Sequence, residues 1–407
     1  MKKWFVWPVL LAGVLCACGA QPTGQSAVTL PMNTERPVVA DLPADEAGPT
    51  PEPTPAAETT LTAADLTLEE KVGQLFIIRP DSLDLTLPQE QIDDAKADGV
   101  TELTDAMRDA LQKYPVGGVC QFGKNIVDPE QITAFNAALQ EASDIPLFIS
   151  VDEEGGAVAR LANKDTFDLP RYESAAAVGA EGADAACAMG QTIGGYLRTY
   201  GFNMDFAPDA DVNTNPDNPI IGTRAFSSDA AEAADCAAAM ARGLAGEEIL
   251  PTFKHFPGHG DTAEDSHTGL AYSYRTVEEL AACELLPFEA AAEVGPHAVM
   301  VGHIVVPELT GDLPATLCAD AIALVPDAEN TLIVTDSLAM GAITDSYTPG
   351  EAAVQALQAG CDVLLMPDGL ADAYDAVLAA VQNGTLSEDR LDLSVNKILR
   401  MKAQFCA

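Results

Sequence analysis

At 407 residues with 48% hydrophobic content, the chain can form one large α/β barrel or two to three average domains, and disorder throughout is excluded. Only 21 basic residues stand against 62 acidic ones, a net charge of −41. Nucleic-acid binding needs a basic footprint, so it is excluded too, and most of the acid is a solvated exterior that favours solubility.

The chain begins Met1-Lys-Lys, followed by an apolar run from Trp4 to Leu15 that is too short for a standard spanning helix. It closes on Leu15-Cys16-Ala17-Cys18-Gly19, which resembles a lipoprotein signal box with Cys18 as the lipid-modified residue. That implies an extracytoplasmic protein anchored to the cell membrane, with an ordinary cleaved signal peptide as the alternative. Residues 19–60 are rich in Pro, Thr and Glu, as in Gly48-Pro-Thr-Pro-Glu-Pro-Thr-Pro-Ala56, and carry no apolar periodicity. They are expected to form a disordered tether, on the order of 100 Å when extended at ~3.1 Å per residue.

Two of the nine cysteines fall in the first eighteen residues. The other seven, at 120, 187, 236, 283, 318, 361 and 406, have no C-x-x-C spacing, and several stand in Ala-rich helical runs. An odd number in an exported chain argues against a complete disulfide framework. Free thiols acting as small apolar filler are expected, which suits a reducing or anoxic habitat.

From Leu61 the pattern changes. Thr67-Leu-Glu-Glu-Lys-Val-Gly-Gln-Leu75 opens with a capping box and continues as a helical apolar stripe. Eight short apolar runs follow, at 76–79, 116–122, 147–152, 202–207, 249–255, 298–304, 332–336 and 363–366. Helical stretches such as 172–200, 229–246, 276–294 and 350–359 separate them, and an amphipathic helix around 393–402 ends the chain. Alternating strand and helix implies a parallel sheet, and eight repeats predict a (β/α)8 TIM-like barrel as a single domain. An open doubly wound sheet is the alternative, weakened because no Gly-rich phosphate loop follows the first strand. Asp152, Asp205, Lys254, His255, His303 and Asp336 all fall at or just beyond C-terminal strand ends, the face where barrel active sites gather.

The densest chemistry lies in Thr252-Phe-Lys-His-Phe-Pro-Gly-His-Gly-Asp-Thr-Ala-Glu-Asp-Ser-His267, which holds three of the five histidines. A buried strand runs into a loop that Pro257, Gly258 and Gly260 force to turn sharply. Loops of this kind beside a rigid strand carry binding and catalysis. Lys254-His255-Phe256-Pro257-Gly258-His259-Gly260 followed by Asp265-Ser266-His267 resembles the signature of glycoside hydrolase family 3, in its β-N-acetylhexosaminidase branch. The resemblance covers roughly residues 61–405, making 61–407 the family's N-terminal-type barrel domain after a signal peptide at 1–18 and the linker. No room remains for the second α/β-sandwich domain of many members, which favours the compact hexosaminidase type.

The resemblance implies a role for each group. Asp336, ending Leu332-Ile-Val-Thr-Asp336, corresponds to the nucleophile; a carboxylate at a barrel mouth can attack an anomeric carbon. By itself this Asp also reads as a helix N-cap. His267 corresponds to the general acid/base and Asp265 to its orienting partner, and histidine's near-neutral pKa suits that exchange. Ser150-Val-Asp-Glu-Glu-Gly-Gly-Ala-Val-Ala-Arg-Leu161 resembles the segment that binds sugar hydroxyls, through Asp152 and Arg160, with Glu153 and Ala157 departing from the common Gln and Arg. Asn218-Pro-Ile-Ile-Gly-Thr-Arg-Ala-Phe-Ser-Ser-Asp229 resembles the loop whose arginine, here Arg224, also contacts substrate. Lys254 and His255 complete the substrate-binding set, His259 either orders the loop or joins them, and His303 supports from behind. A zinc site of His255, His259 and His267 is the competing reading; no His-Glu-x-x-His helix exists, and no metal or other cofactor is expected.

The expected function is a retaining exo-β-N-acetylglucosaminidase acting on GlcNAc-containing muropeptides or wall glycans, as a membrane-anchored monomer. Another family 3 β-glycosidase is an alternative, as is a GlcNAc phosphorylase, since a neutral imidazole base does not repel phosphate. A non-catalytic wall-binding lipoprotein is the alternative from a different class.

Overall fold

A computed structural model describes residues 61–264, 266 and 269–406. The expected signal segment with Cys18, the tether, and both Asp265 and His267 lie outside the described residues. Among the described residues no helix is long and apolar enough to cross a membrane.

All eight apolar runs contain strands. They are β1 (Phe76–Ile78), β2 (Gly118–Cys120), β3 (Phe148–Val151), β4 (Met204–Asp205), β5 (Leu250–Phe256), β6 (Ala298–Val301), β7 (Leu332–Thr335) and β8 (Leu364–Leu365). They pair in parallel in the order β7-β6-β5-β4-β3-β2-β1-β8. A parallel bridge between Val334 and Val363 brings the two ends of that order together, so the sheet is a nearly closed barrel rather than an open one. Every strand residue is buried, which is why these runs read as continuous apolar stretches instead of alternating ones.

Helices fill the connections. Leu68–Gln74 opens with the expected capping box, Thr67 accepting from the Glu70 N–H while the Glu70 carboxylate accepts from the Thr67 N–H at 2.7 Å. The long helices Ala183–Thr199 and Ala230–Gly246 pack against each other outside the strands, and Glu388–Phe405 closes the chain beneath the barrel.

Three spans differ from expectation. The 276–294 stretch breaks into Val277–Ala282 and Leu286–Ala291, because Pro287 lacks an N–H and is accommodated only in the first turn of a new helix. The 172–200 stretch likewise divides into Ala175–Gly179 and Ala183–Thr199, with Gly182, a poor helix former, at the second N-cap. The run at 298–304 leaves the barrel after Val301, and Ile304–Val305 pairs instead with Ala271–Tyr272 in a separate two-stranded sheet. All seven cysteines at 120–406 are unpaired, and Cys120, Cys236, Cys318 and Cys361 are buried as filler.

Candidate active site

A cavity of about 210 Å³ opens at the C-terminal ends of the barrel strands. Its walls include Asp152, Arg160, Arg224, Lys254, His255 and Asp336, the six described residues assigned a catalytic or substrate-binding role from the sequence. Asp336 follows β7 directly: its N–H donates to the Val301 carbonyl of β6, and its Oδ1 accepts from the Ser337 N–H at 2.7 Å. The backbone therefore holds this half-buried carboxylate at the junction of two strands.

Lys254 lies inside β5, where an ammonium without a counter-charge would be costly. It is matched twice, by Asp152 Oδ1 at 2.7 Å and Glu154 Oε1 at 2.6 Å. Arg224 grips the same Glu154 with both arms, Nε to Oε2 and Nη2 to Oε1 at 2.8 Å each, and Nη2 lies 3.4 Å from Asp209. Burial alone would raise the Glu154 carboxyl, but Arg224 and Lys254 outweigh it and hold it well below the usual carboxylate range. Burial would likewise lower the Lys254 ammonium, and Asp152 and Glu154 reverse the direction. Arg160 is held more loosely, with Nη2 3.8 Å from Asp152 and its guanidinium 5.7 Å from the Phe122 ring centre.

His255 donates from Nδ1 to Asp211 Oδ2 at 2.8 Å, which leaves Nε2 as an acceptor, 3.4 Å from Arg224 Nη2. The other Asp211 oxygen accepts from the His259 N–H, so one carboxylate sets both histidines of the motif. His259 is buried, and its two ring nitrogens meet Thr262 Oγ1 at 2.7 Å and Ser266 Oγ at 3.1 Å. Burial, and then His255, push its pKa down. Besides bonding within the loop, this histidine lines the cavity wall itself. Through it Ser266, centre of the Asp265-Ser266-His267 tripeptide, is anchored on the wall of the same cavity as Asp336.

Two residues read at strand ends stand behind the site. Asp205 is buried and accepts from the Glu153 N–H at 3.0 Å. His303 donates from Nε2 to the Ser337 carbonyl at 2.8 Å and meets Thr316 with its other nitrogen, bracing the residue next to Asp336. Glu153 turns away from the cavity and accepts from the Leu161 and Ala162 N–H groups and the Tyr196 hydroxyl, so its departure from Gln serves the loop that carries Arg160.

Sequence reading missed Glu154, Asp209 and Asp211 as partners of Arg224, Lys254 and His255. The available signal was Asp209-Ala-Asp211 just beyond the 202–207 run, two carboxylates at a strand end. Among the described residues, Asp209, Asp211 and His255 form the one group whose ligand atoms are close enough to share a metal. In it Asp211 is already bonded to His255, and Arg224 neutralises Asp209. Burial, and then Asp211, push the Asp209 carboxyl well up.

The glycines of the motif are steric requirements. Gly258 adopts φ +130°, and a Cβ on Gly260 would stand 1.9 Å from the Val212 carbonyl oxygen. Since the clash is with backbone, Gly260→Ala is expected to cost about 1–3 kcal/mol or more and to displace the loop. A lowered thermal midpoint together with reduced turnover would be the measured outcome.

The glycosyl hydrolase family 3 N-terminal domain profile matches residues 67–401. β-Hexosaminidase LpqI of Mycobacterium tuberculosis is 31% identical over 403 residues, covering 96% of this chain and 94% of that protein. β-Hexosaminidase A of Pseudoalteromonas piscicida is 31% identical over 335 residues, 75% of this chain but 56% of that longer protein. The solved structure of a family 3 β-N-acetylglucosaminidase from Paenibacillus superposes with a TM-score of 0.73 at 38% identity, covering 83% of this chain and 62% of that one. A nearly closed parallel barrel, a cavity at its C-terminal face and a match along most of its length together mean that the chain belongs to glycosyl hydrolase family 3 and is a glycoside hydrolase.

Proposed function

We propose that the protein is a retaining exo-β-N-acetylglucosaminidase in which Asp336 is the nucleophile and His267, oriented by Asp265, is the acid/base. The observation that carries this reading is that Ser266, which lies between Asp265 and His267 in the chain, lines the same cavity as Asp336. In the first step an Asp336 oxygen bonds to the anomeric carbon while the glycosidic bond breaks and the leaving oxygen takes a proton from the His267 imidazolium. In the second, water bonds to that carbon, its proton passes to His267, and the Asp336 carboxylate departs. Asp152, Arg160, Arg224, Lys254 and His255 hold the sugar's hydroxyls, and the ion pairs between them fix their geometry before substrate arrives.

The cavity volume of about 210 Å³ lies below the ~300–1,000 Å³ of sites for drug-sized ligands, a scale that suits one terminal ring rather than an enclosed chain. GlcNAc-terminated wall fragments are the proposed substrates, reached from a membrane anchor at Cys18 across the 19–60 tether. The test is trapping with a 2-fluoro glycoside followed by peptide mapping. Label on Asp336 is expected; label elsewhere, or inverted product with no label, overturns the mechanism. Parallel assays on aryl glucosides and xylosides check the sugar, and added phosphate checks the acceptor, since formation of a sugar 1-phosphate would replace hydrolysis with phosphorolysis.

A further inference from the structure

The loop from Pro257 to Glu264, which leads into the Asp265-Ser266-His267 tripeptide, is braced from outside the cavity. Arg275 Nη2 lies 3.3 Å from Asp261 Oδ1 in that loop and 3.2 Å from Glu284 Oε1 behind it. Ser273 donates to the other Asp261 oxygen at 3.2 Å, and Thr214 Oγ1 stands 3.4 Å from both carboxylates. Glu284 is fully buried, and its side chain fills the space over Gly258 so closely that a Cβ there would stand 2.6 Å from its own Cβ. The brace therefore grips the loop at its turn and again at Asp261, six residues before His267 in the chain. Among the described residues, the buried Arg275 Nε and Glu284 Oε2 have no hydrogen-bond partner. A buried carboxylate facing a second one across a single guanidinium depends on that cation to stay put.

We propose that Arg275 is a positioning residue for proton donation, holding the loop through Asp261 and Glu284 so that the acid/base it carries reaches the leaving oxygen. This rests on the assignment of His267 above. Arg275 is absent from the cavity wall, so its effect is exerted through the loop and not on bound sugar. A general acid contributes about 10²–10⁴-fold, and a misplacement of ~1 Å forfeits up to about 10²-fold. The loss depends on the leaving group: phenol needs the proton, whereas 2,4-dinitrophenol departs without it.

The experiment compares kcat/KM, which reads the glycosylation step alone, for phenyl and 2,4-dinitrophenyl β-N-acetylglucosaminides in the full-length enzyme, Arg275→Met, Arg275→Lys and His267→Ala. Arg275→Met is expected to lose about 10–100-fold on the phenyl substrate and less than threefold on the dinitrophenyl one, with Arg275→Lys recovering part of the loss. An equal loss on both substrates, or none, overturns the proposal. Asp261→Asn cuts the same link from the loop side and is scored by the same criteria where Arg275→Met does not fold. His267→Ala keeps the two assignments apart: if it shows no leaving-group dependence, the acid/base assignment fails, whereas dependence in His267→Ala but not in either brace variant removes Arg275 alone.

Discussion

Asp336→Ala is expected to lower kcat on an aryl β-N-acetylglucosaminide by about 10⁴-fold, equivalent to about 5 kcal/mol of transition-state stabilisation at 1.36 kcal/mol per decade. The carboxylate is half-buried and accepts from its neighbour's N–H at 2.7 Å, so its removal leaves β7 and the barrel intact. The thermal midpoint should accordingly move by only a few degrees. The variant also leaves room on the face of the sugar that the carboxylate occupied. Added azide should then restore turnover by forming a glycosyl azide of the anomeric configuration opposite to substrate. Steady-state kinetics, a melting curve and product analysis check the three parts. Activity within tenfold of the parent in a folded variant would assign nucleophilic attack to another group.

Lys402→Met is expected to stabilise the protein at neutral pH, with a gain that fades as pH rises. Lys402 sits on the Glu388–Phe405 helix, at the opposite end of the barrel from the cavity, and is 3% exposed. Its ammonium meets Gln74 Oε1 at 2.5 Å and lies 5.2 Å from the Phe148 ring centre, and no carboxylate among the described residues is bonded to it. Burial pushes its pKa down from 10.5 to about 7. The folded chain therefore binds this proton less readily than the unfolded one. Stability from this source is present above about pH 10.5, is lost as pH falls toward 7, and is fully lost below that. Over that window the penalty reaches about 4 kcal/mol, at up to 1.36 kcal/mol per pH unit. Methionine removes the charge but strands Gln74 Oε1, at about 1–3 kcal/mol, so the net gain at pH 7 is about 1–3 kcal/mol. Urea unfolding of both proteins at pH 7, 8.5 and 10 measures it. A difference independent of pH would mean that Lys402 keeps its charge throughout, held by its amide and aromatic partners.

These two residues differ in how they could be found. Asp336 is announced locally, as a carboxylate ending an apolar run, and the same is true of Lys254-His255. Lys402 reads as an ordinary lysine in the last turns of an amphipathic helix. Its burial depends on where that helix docks, beneath Phe148 and Gln74, which are 254 and 328 residues away in the chain. The Ser266 anchor shows an intermediate case: the tripeptide is recognisable as a motif, whereas the bond from His259 that fixes its centre is visible only in the folded loop.

By itself the sequence determined the eight strands, the helices between them and the chemical groups at the strand ends. Apolar runs, caps and turn residues act over a few neighbouring positions, so their physics can be read along the chain. Only the tertiary structure decided which charges meet: Glu154 between Lys254 and Arg224, Asp211 under both histidines, Glu153 turned inward, and Arg275 between Asp261 and Glu284. Such partners lie up to 102 residues apart in sequence, as for Asp152 and Lys254, and are brought within hydrogen-bond reach only when the barrel curls round on itself. Coulomb attraction and hydrogen bonding act across space, and no periodicity along the chain encodes the distance between one strand end and the next.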